Sequence, residues 1–257
     1  MLTIGIDIGS VTAKGVLMSD GALLAAKSCF TGYNAEQAAR SVYEGLLEGN
    51  HLTKTQVKGI VATGYGRNSV PFADKAVTEI MCHAVGANHL KPDVRAVIDI
   101  GGQDSKAILL GERGKVLNFI MNDKCAAGTG RFLEVMARAL EVDLDAFGSM
   151  SEKADYAAPI SSLCAVFAES EVVSLIAKGE KRENIIAGIH AAIGSRVAAM
   201  AGRLFVGGAA SLMMTGGVAR NVGVVQALEK ALRHSVDVSP HAQIMGAIGA
   251  ARLAQAA

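Results

Sequence analysis

The sequence predicts an α/β protein built from two related lobes. Short apolar strands alternate with helical stretches along the whole chain. An Asp-x-Gly hairpin near the N-terminus, Ile6-Asp7-Ile8-Gly9-Ser10, returns as Ile98-Asp99-Ile100-Gly101-Gly102. A third glycine turn, Thr215-Gly216-Gly217-Val218-Ala219-Arg220-Asn221, again follows an apolar strand.

Residues 3–8 and 16–24 read as two strands joined around residues 9–14, a hairpin whose glycine and small polar residues suit an anion. Residues 34–47 carry Ala38, Val42, Leu46 and Leu47 at helical spacing, and residues 57–62 then form a buried strand ending at Thr63-Gly64-Tyr65-Gly66. A helix over 74–88 precedes a strand over 94–100, the second hairpin Gly101-Gly102-Gln103-Asp104-Ser105-Lys106, and a returning strand over 107–110. Laying residues 4–17 over 96–109 matches Ile6/Ile98, Asp7/Asp99, Ile8/Ile100, Gly9/Gly101, Lys14/Lys106 and Leu17/Leu109, a pattern of internal duplication. Helices follow over 130–140, 165–178 and 185–202, then a strand over 211–215, and a last helix starts near Met245. With no low-complexity tract or Pro/Ser-rich linker, the lobes are expected to share a cleft and to cross over more than once. The first lobe is placed at residues 1–95, with the C-terminal helix returning to it, and the second at 96–257.

Composition narrows the function. In 257 residues, 51% hydrophobic, a net charge of +1 from 25 basic and 24 acidic side chains offers no surface for nucleic acid or anionic membrane. No basic, apolar leader precedes Asp7, and the longest uncharged stretch, residues 204–219, is short for a membrane span. A cytoplasmic location is expected. Four cysteines, Cys29, Cys82, Cys125 and Cys164, are too sparse for a disulfide scaffold and form no C-x-x-C pair.

Phosphate binding needs backbone N–H groups that approach the ligand closely, which glycines permit. Gly9, Gly101 and Gly102 meet that need, and Asp7 and Asp99 before the turns can hold Mg²⁺ through water, because that ion keeps much of its hydration shell. Ser10, Thr12, Lys14, Gln103, Asp104 and Lys106 add donors and a group to orient water for in-line attack on a γ-phosphate. One such hairpin alone is as readily an ordinary turn. Two copies and a third glycine turn for adenosine make a nucleotide site. No G-x-x-x-x-G-K-[ST] or G-x-G-x-x-G motif occurs. The expected nucleotide set is Gly9, Ser10, Val11, Thr12, Ala13, Lys14, Gly101, Gly102, Gln103, Asp104, Gly216, Gly217, Asn221 and Gln243, with Asp7, Gln103 and Asp104 assigned to catalysis.

Cys125, in Asn122-Asp123-Lys124-Cys125-Ala126-Ala127-Gly128-Thr129-Gly130-Arg131-Phe132, and Cys164, ahead of Ala165-Val166-Phe167-Ala168-Glu169-Ser170-Glu171, both read as helix-start thiols, where the dipole favours a thiolate. Two readings stay open on these residues alone. A 4Fe-4S cluster takes four thiolates, so two per chain would call for a second copy; two structural cysteines are the weightier alternative, as they are for Cys29 and Cys82. The adjacent pair Cys82-His83 lacks the spaced partners of a zinc site.

The order of the three glycine motifs resembles the acetate kinase, sugar kinase, Hsp70 and actin superfamily. That resemblance implies an actin-like ATPase fold of two duplicated ribonuclease H-like lobes around a nucleotide cleft. More narrowly, Gly5-Ile6-Asp7-Ile8-Gly9-Ser10, Ala62-Thr63-Gly64-Tyr65-Gly66-Arg67, Val97-Ile98-Asp99-Ile100-Gly101-Gly102-Gln103-Asp104, the Asn122–Phe132 run, Val166-Phe167-Ala168-Glu169-Ser170-Glu171 and Met214-Thr215-Gly216-Gly217-Val218 are similar to the ATP-dependent activators, or archerases, of 2-hydroxyacyl-CoA dehydratases. Benzoyl-CoA reductase ATPase subunits and double-cubane cluster protein reductases belong to the same group. The resemblance implies a homodimer with one 4Fe-4S cluster held by Cys125 and Cys164 of each copy. It also implies reduction by a ferredoxin or flavodoxin, and ATP-driven delivery of one electron to an iron–sulfur acceptor of the dehydratase, benzoyl-CoA reductase or double-cubane type. Ser161-Ser162-Leu163-Cys164 departs from relatives that carry a polar residue or Met before the cysteine. The rival expectations are a small-molecule kinase of the same superfamily with structural cysteines, and a colourless nucleotide switch whose output is protein binding.

Overall fold

Alternating Ile with small or polar residues builds β1 (Leu2–Ile8) as the central strand of the first sheet. It pairs antiparallel with β2 (Thr12–Ser19), which pairs antiparallel with β3 (Ala22–Phe30). The computed structural model describes residues 1–161, 164–205 and 211–256; part of the uncharged 204–219 stretch therefore lies outside the described residues. Helix α1 (Ala35–Gly49) starts where the Asn34 side chain accepts from Gln37 N at 3.0 Å, and it buries Ala38, Ala39, Val42, Tyr43 and Leu46 in one core with Ile4, Ile6, Ile8 and Leu17. β4 (Val57–Thr63) runs parallel to β1, and β5 (Lys75–Ala76) parallel to β4, giving the order β3-β2-β1-β4-β5. The helix expected over 74–88 is shorter. Asp74 is used to accept from Ile60 N at 2.7 Å, residues 75–76 join the sheet, and α2 (Glu79–Leu90) begins only after the Thr78 cap.

The second sheet holds β6 (Ala96–Ile100), β7 (Ser105–Leu110), β8 (Val116–Asn122), β9 (Leu212–Thr215) and β10 (Asp237–Val238) in the order β10-β9-β6-β7-β8. Read from β8, this is the order of the first sheet, so the duplication seen in the hairpins extends to topology. Between β8 and β10 lie α3 (Gly130–Ala139), α4 (Leu144–Ser151), α5 (Ala165–Ala177), α6 (Arg182–Gly202) and α7 (Val222–Leu232). By length and composition α6 would pass as a membrane span, but half of that window is buried, as in a core helix. The chain ends in α8 (Met245–Leu253) and a 3-10 turn.

The structure divides into two compact units. One gathers Met1–Val97, Ile108–Asn118 and Pro240–Ala257; the other gathers Ile98–Ala107 and Phe119–Ser239. In the first unit α8 lies directly on β1 and α2, at contacts only glycine allows: a Cβ on Gly5 would collide with Ala247 O, and one on Gly249 with Cys82 O. Gly249→Ala is therefore expected to cost about 3 kcal/mol or more, since backbone faces backbone and no side chain can yield. A thermal melt checks this, and a change of less than about 2 °C would show that α8 shifts freely.

Candidate functional site

The two hairpins have matching backbone turns. Gly9 N donates to Thr12 O at 3.1 Å, and Gly101 N donates to Asp104 O at 2.9 Å, positions related by the same offset as the sequence repeat. Behind each turn stands the aspartate one residue before the end of the preceding strand, Asp7 on β1 and Asp99 on β6, both buried. Against each aspartate lies a Thr-Gly pair at the end of the sheet-adjacent strand, Thr63-Gly64 with Thr63 closing β4 and Thr215-Gly216 with Thr215 closing β9. Gly64 (φ 85°) and Gly216 (φ 88°) both use the left-handed region, and a Cβ would meet Ile8 O at 2.5 Å or Asp99 Oδ1 at 2.7 Å. Glycine is needed at both for conformation and for space. Thr63-Gly64 is thus the counterpart of the turn expected to receive adenosine, an equivalence hidden in sequence because only two residues match.

The polar partners differ between the repeats. In the first unit Lys14 Nζ lies 3.5 Å from Asp7 Oδ2, and Thr31 Oγ1 donates to Gly9 O at 2.7 Å. Gly246, in the first turn of α8, abuts both Asp7 and His83: a Cβ there would be 3.0 Å from Asp7 Oδ2 and from His83 Nε2. Gln243 sits three residues earlier, in the 3-10 turn Ala242–Ile244. Ser10, Val11 and Thr12 are half-buried at the hairpin tip, and Ala13 is buried.

In the second unit Asp99 Oδ1 accepts from Thr215 Oγ1 at 3.0 Å, and its Oδ2 from Lys106 Nζ at 3.3 Å; Lys106 also donates to Asp104 Oδ2 at 2.7 Å. Gly101, Gly102 and Asp104 are half-buried and Gln103 is exposed, so the tip of this hairpin can face a ligand. Gly217 is exposed beside Gly216, while the Asn221 side chain caps α7 by accepting from Val224 N at 3.1 Å. The hairpin is also tied to α3: Gly130 N donates to Gly101 O at 2.9 Å and Arg131 N to Gly102 O at 2.7 Å.

That tie leads to Cys125. The loop before α3 is fixed by Asn122, whose Nδ2 donates to Cys125 O at 2.8 Å and to Ala127 O at 3.2 Å while its Oδ1 accepts from Cys125 N at 3.3 Å. Thr129 Oγ1 closes the loop on Ala126 O at 2.7 Å. Cys125 thus stands five residues ahead of α3, whose cap is Thr129, and not at a helix start as expected; the dipole favours only Cys164, the N-cap of α5. Cys164 is exposed and Cys125 half-buried; in the helix that Cys164 caps, Glu171 accepts from Ser161 N at 2.9 Å and Ser161 Oγ at 2.5 Å. Ser162 and Leu163 lie outside the described residues. Cys29 and Cys82 keep their structural reading. Cys29 packs on the first core and points its thiol at Ala38 O, and burial pushes the Cys82 thiol up to about 12.

Among the described residues no group of three or more His, Cys, Asp and Glu side chains converges as a closed metal site. The donors on hand fit two other arrangements. Hard carboxylate oxygens suit a mostly hydrated Mg²⁺, and a thiol on a backbone clasped by Asn122 together with an exposed N-cap thiol suits half of an iron–sulfur ligand set. Asn122 and Thr215 each head a run singled out in the sequence, but their roles are visible only in the structure, because each acts through backbone or buried contacts.

Comparison with known proteins agrees with this geometry. The (R)-2-hydroxyglutaryl-CoA dehydratase activating ATPase of Acidaminococcus fermentans is 49% identical over 251 residues, 97% of this chain and 95% of that one. The solved activator of 2-hydroxyisocaproyl-CoA dehydratase from Clostridium difficile, with bound ADPNP, superposes with a TM-score of 0.93 at 44% identity, over 99% of this chain and 94% of that one. A ROK family glucokinase from Streptomyces griseus, at 17% identity with a TM-score of 0.63 over the full length of both, shares the actin-like α/β fold alone. The BadF/BadG/BcrA/BcrD ATPase family pattern spans residues 4–254, and the relatives above are this similar over nearly their whole length: the chain belongs to the BadF/BadG/BcrA/BcrD ATPase family.

Proposed function

We propose that this chain is an ATP-driven one-electron donor to an iron–sulfur acceptor protein, with a 2-hydroxyacyl-CoA dehydratase as the acceptor class indicated by its relatives. One observation carries the reading. The first two N–H groups of α3 are hydrogen-bonded to Gly101 O and Gly102 O, so the phosphate-side hairpin and the loop holding Cys125 are one bonded segment. A shift of the hairpin during nucleotide turnover must move the cysteine loop or break those bonds. Only such a difference between nucleotide states can bias a switch.

In the hydrolytic step Gln103 orients the attacking water and Asp104 accepts its proton as the water oxygen bonds to the γ-phosphorus. The bond to the β,γ-bridging oxygen breaks, and ADP leaves with its charge countered by Lys14. Backbone N–H groups around Gly9, Gly101 and Gly102 orient the phosphates, and Gly216, Gly217, Asn221 and Gln243 contribute to nucleotide binding. Asp7 and Asp99 would hold Mg²⁺ through water, and that ion when bound neutralises phosphate charge. Cys125 and Cys164, with the same pair from a second copy, would hold a 4Fe-4S cluster, which when bound supplies a one-electron relay. The second copy has a surface to meet: Val166 and Phe167, directly after Cys164, are 67% and 66% exposed, and Val173 and Ile176 continue the apolar face of α5. A ferredoxin or flavodoxin donor and a cytoplasmic location complete the proposal.

Purification without oxygen, followed by iron, sulfide and mass determination, tests it. A brown dimer with about four irons is the expected result; a colourless monomer with full ATPase activity would overturn the electron-transfer reading and leave the ATPase.

A further inference from the structure

The two hairpin lysines occupy equivalent positions but different environments. Lys14 keeps 13% of its side chain exposed, lies 3.5 Å from one carboxylate, Asp7, and has its Nζ over Gly9 at the hairpin turn. Lys106 is 1% exposed and bridges two carboxylates, Asp99 Oδ2 at 3.3 Å and Asp104 Oδ2 at 2.7 Å. The repeat explains the difference: where the second hairpin has Asp104, the first has Thr12. Asp99 is in turn fixed from behind by Thr215 Oγ1 at 3.0 Å. The result is a buried chain, Thr215 to Asp99 to Lys106 to Asp104, that ends at a carboxylate 26% exposed on the hairpin tip.

On sequence both lysines add donors to their hairpins, and only Lys14 belongs to the expected nucleotide set. A 1% exposed ammonium already bonded to two carboxylates cannot reach a phosphate without abandoning both, and stripping a buried carboxylate of its partner is strongly unfavourable. We propose that Lys106 is a positioning residue of the ATPase, which holds the Asp104 carboxylate in its working orientation and makes no contact with nucleotide. The assignment rests on the role given to Asp104 above. It divides the labour of the duplicated hairpins: Lys14 is left to meet phosphate, and Lys106 is committed to the carboxylate that meets water. A charged hydrogen bond of 2.7 Å is short enough to fix one rotamer of Asp104, and misplacement of a reacting group by about 1 Å costs on the order of a hundredfold in rate.

A mutant cycle on the purified full-length protein tests this, with Mg-ATP hydrolysis and ADP binding measured for Lys106→Met, Asp104→Asn and the double variant. Lys106→Met is expected to lower kcat at least about tenfold while KM and ADP affinity change less than about threefold. Asp104→Asn is expected to lower kcat about a hundredfold, and the double variant to fall no more than about threefold below Asp104→Asn, because Lys106 acts through that carboxylate. Should Lys106→Met not fold, Lys106→Gln, which keeps a neutral amide donor group but no charge, carries the same cycle. Weaker ADP binding by tenfold with kcat retained would make Lys106 a phosphate ligand, and multiplied losses in the double variant would make it merely structural; either overturns the proposal while leaving Asp104 in place. Full hydrolysis by Asp104→Asn would remove Asp104 from catalysis and Lys106 with it.

Discussion

Cys125→Ala protein, purified without oxygen, is expected to contain iron and sulfide at background level and to deliver no electrons to an acceptor, while binding ADP within about twofold of the parent. The local structure explains why the loss should be so selective. Asn122 clasps the backbone of residues 125–127 from both sides, and Thr129 closes the turn, so the loop is shaped by groups other than the thiol. Removing one half-buried sulfur from it should change stability by no more than about 1 kcal/mol. Cys82→Ala provides the contrast. That residue is fully buried in a cluster with Val61, Ala250 and Ala254, and burial pushes its thiol up to about 12, so truncation should lower the melting temperature and leave iron content untouched. A Cys125→Ala protein with full iron and reductase activity would remove Cys125 from the ligand set.

Where local chemistry dictates backbone, the sequence was readable. The Asp-Ile-Gly hairpins, the helix behind Asn34 and the duplication all follow from short-range periodicity and turn residues, and the topology of both sheets repeats what the hairpin overlay implied. The strand expected over 16–24 covers the end of one strand and the start of the next. Asp20-Gly21, with φ of 48° and 88°, separates β2 from β3, and an Asp-Gly pair between apolar runs is a hairpin signal. β8, α4, α7 and β10 have no counterpart among the elements expected from the sequence. β8 exposes Leu117, Phe119 and Met121, so its apolar residues do not alternate toward a core. β10 has two residues and exists only because β9 lies beside it.

The site divides along the same line. Asp7, Asp99 and their glycines could be picked out because a turn that approaches an anion restricts residue type strongly. Burial could not: nothing in the spacing of Lys14 and Lys106 says that one stays partly in solvent while the other is enclosed between carboxylates. The contact between Thr215 and Asp99 spans 116 positions, and the bonds from Gly130 and Arg131 to the second hairpin depend on where α3 packs. Tertiary placement decides these, and sequence periodicity carries no record of it.

Asp7→Asn is expected to lower Mg-ATP hydrolysis by about a hundredfold or more, in line with loss of a charge that anchors the metal–phosphate centre, while the protein stays folded. Asn matches Asp in size, so the fit against Gly64 and Gly246 is retained. Lys14, partly exposed and 3.5 Å away, can turn its ammonium to solvent when the carboxylate is lost. Asp99→Asn should behave differently. Lys106 would keep Asp104, but its buried ammonium would lose one of two anionic neighbours, so a stability loss of about 3 kcal/mol is expected to appear beside the rate effect. Steady-state phosphate release across a Mg²⁺ titration, paired with thermal melts, separates the two aspartates: Asp7→Asn should change rate and Mg²⁺ dependence with little change in melting, and Asp99→Asn should change all three. Unchanged hydrolysis by Asp7→Asn would take the first hairpin's carboxylate out of the site, and equal melting losses in both variants would mean that Asp7 serves the fold as Asp99 does.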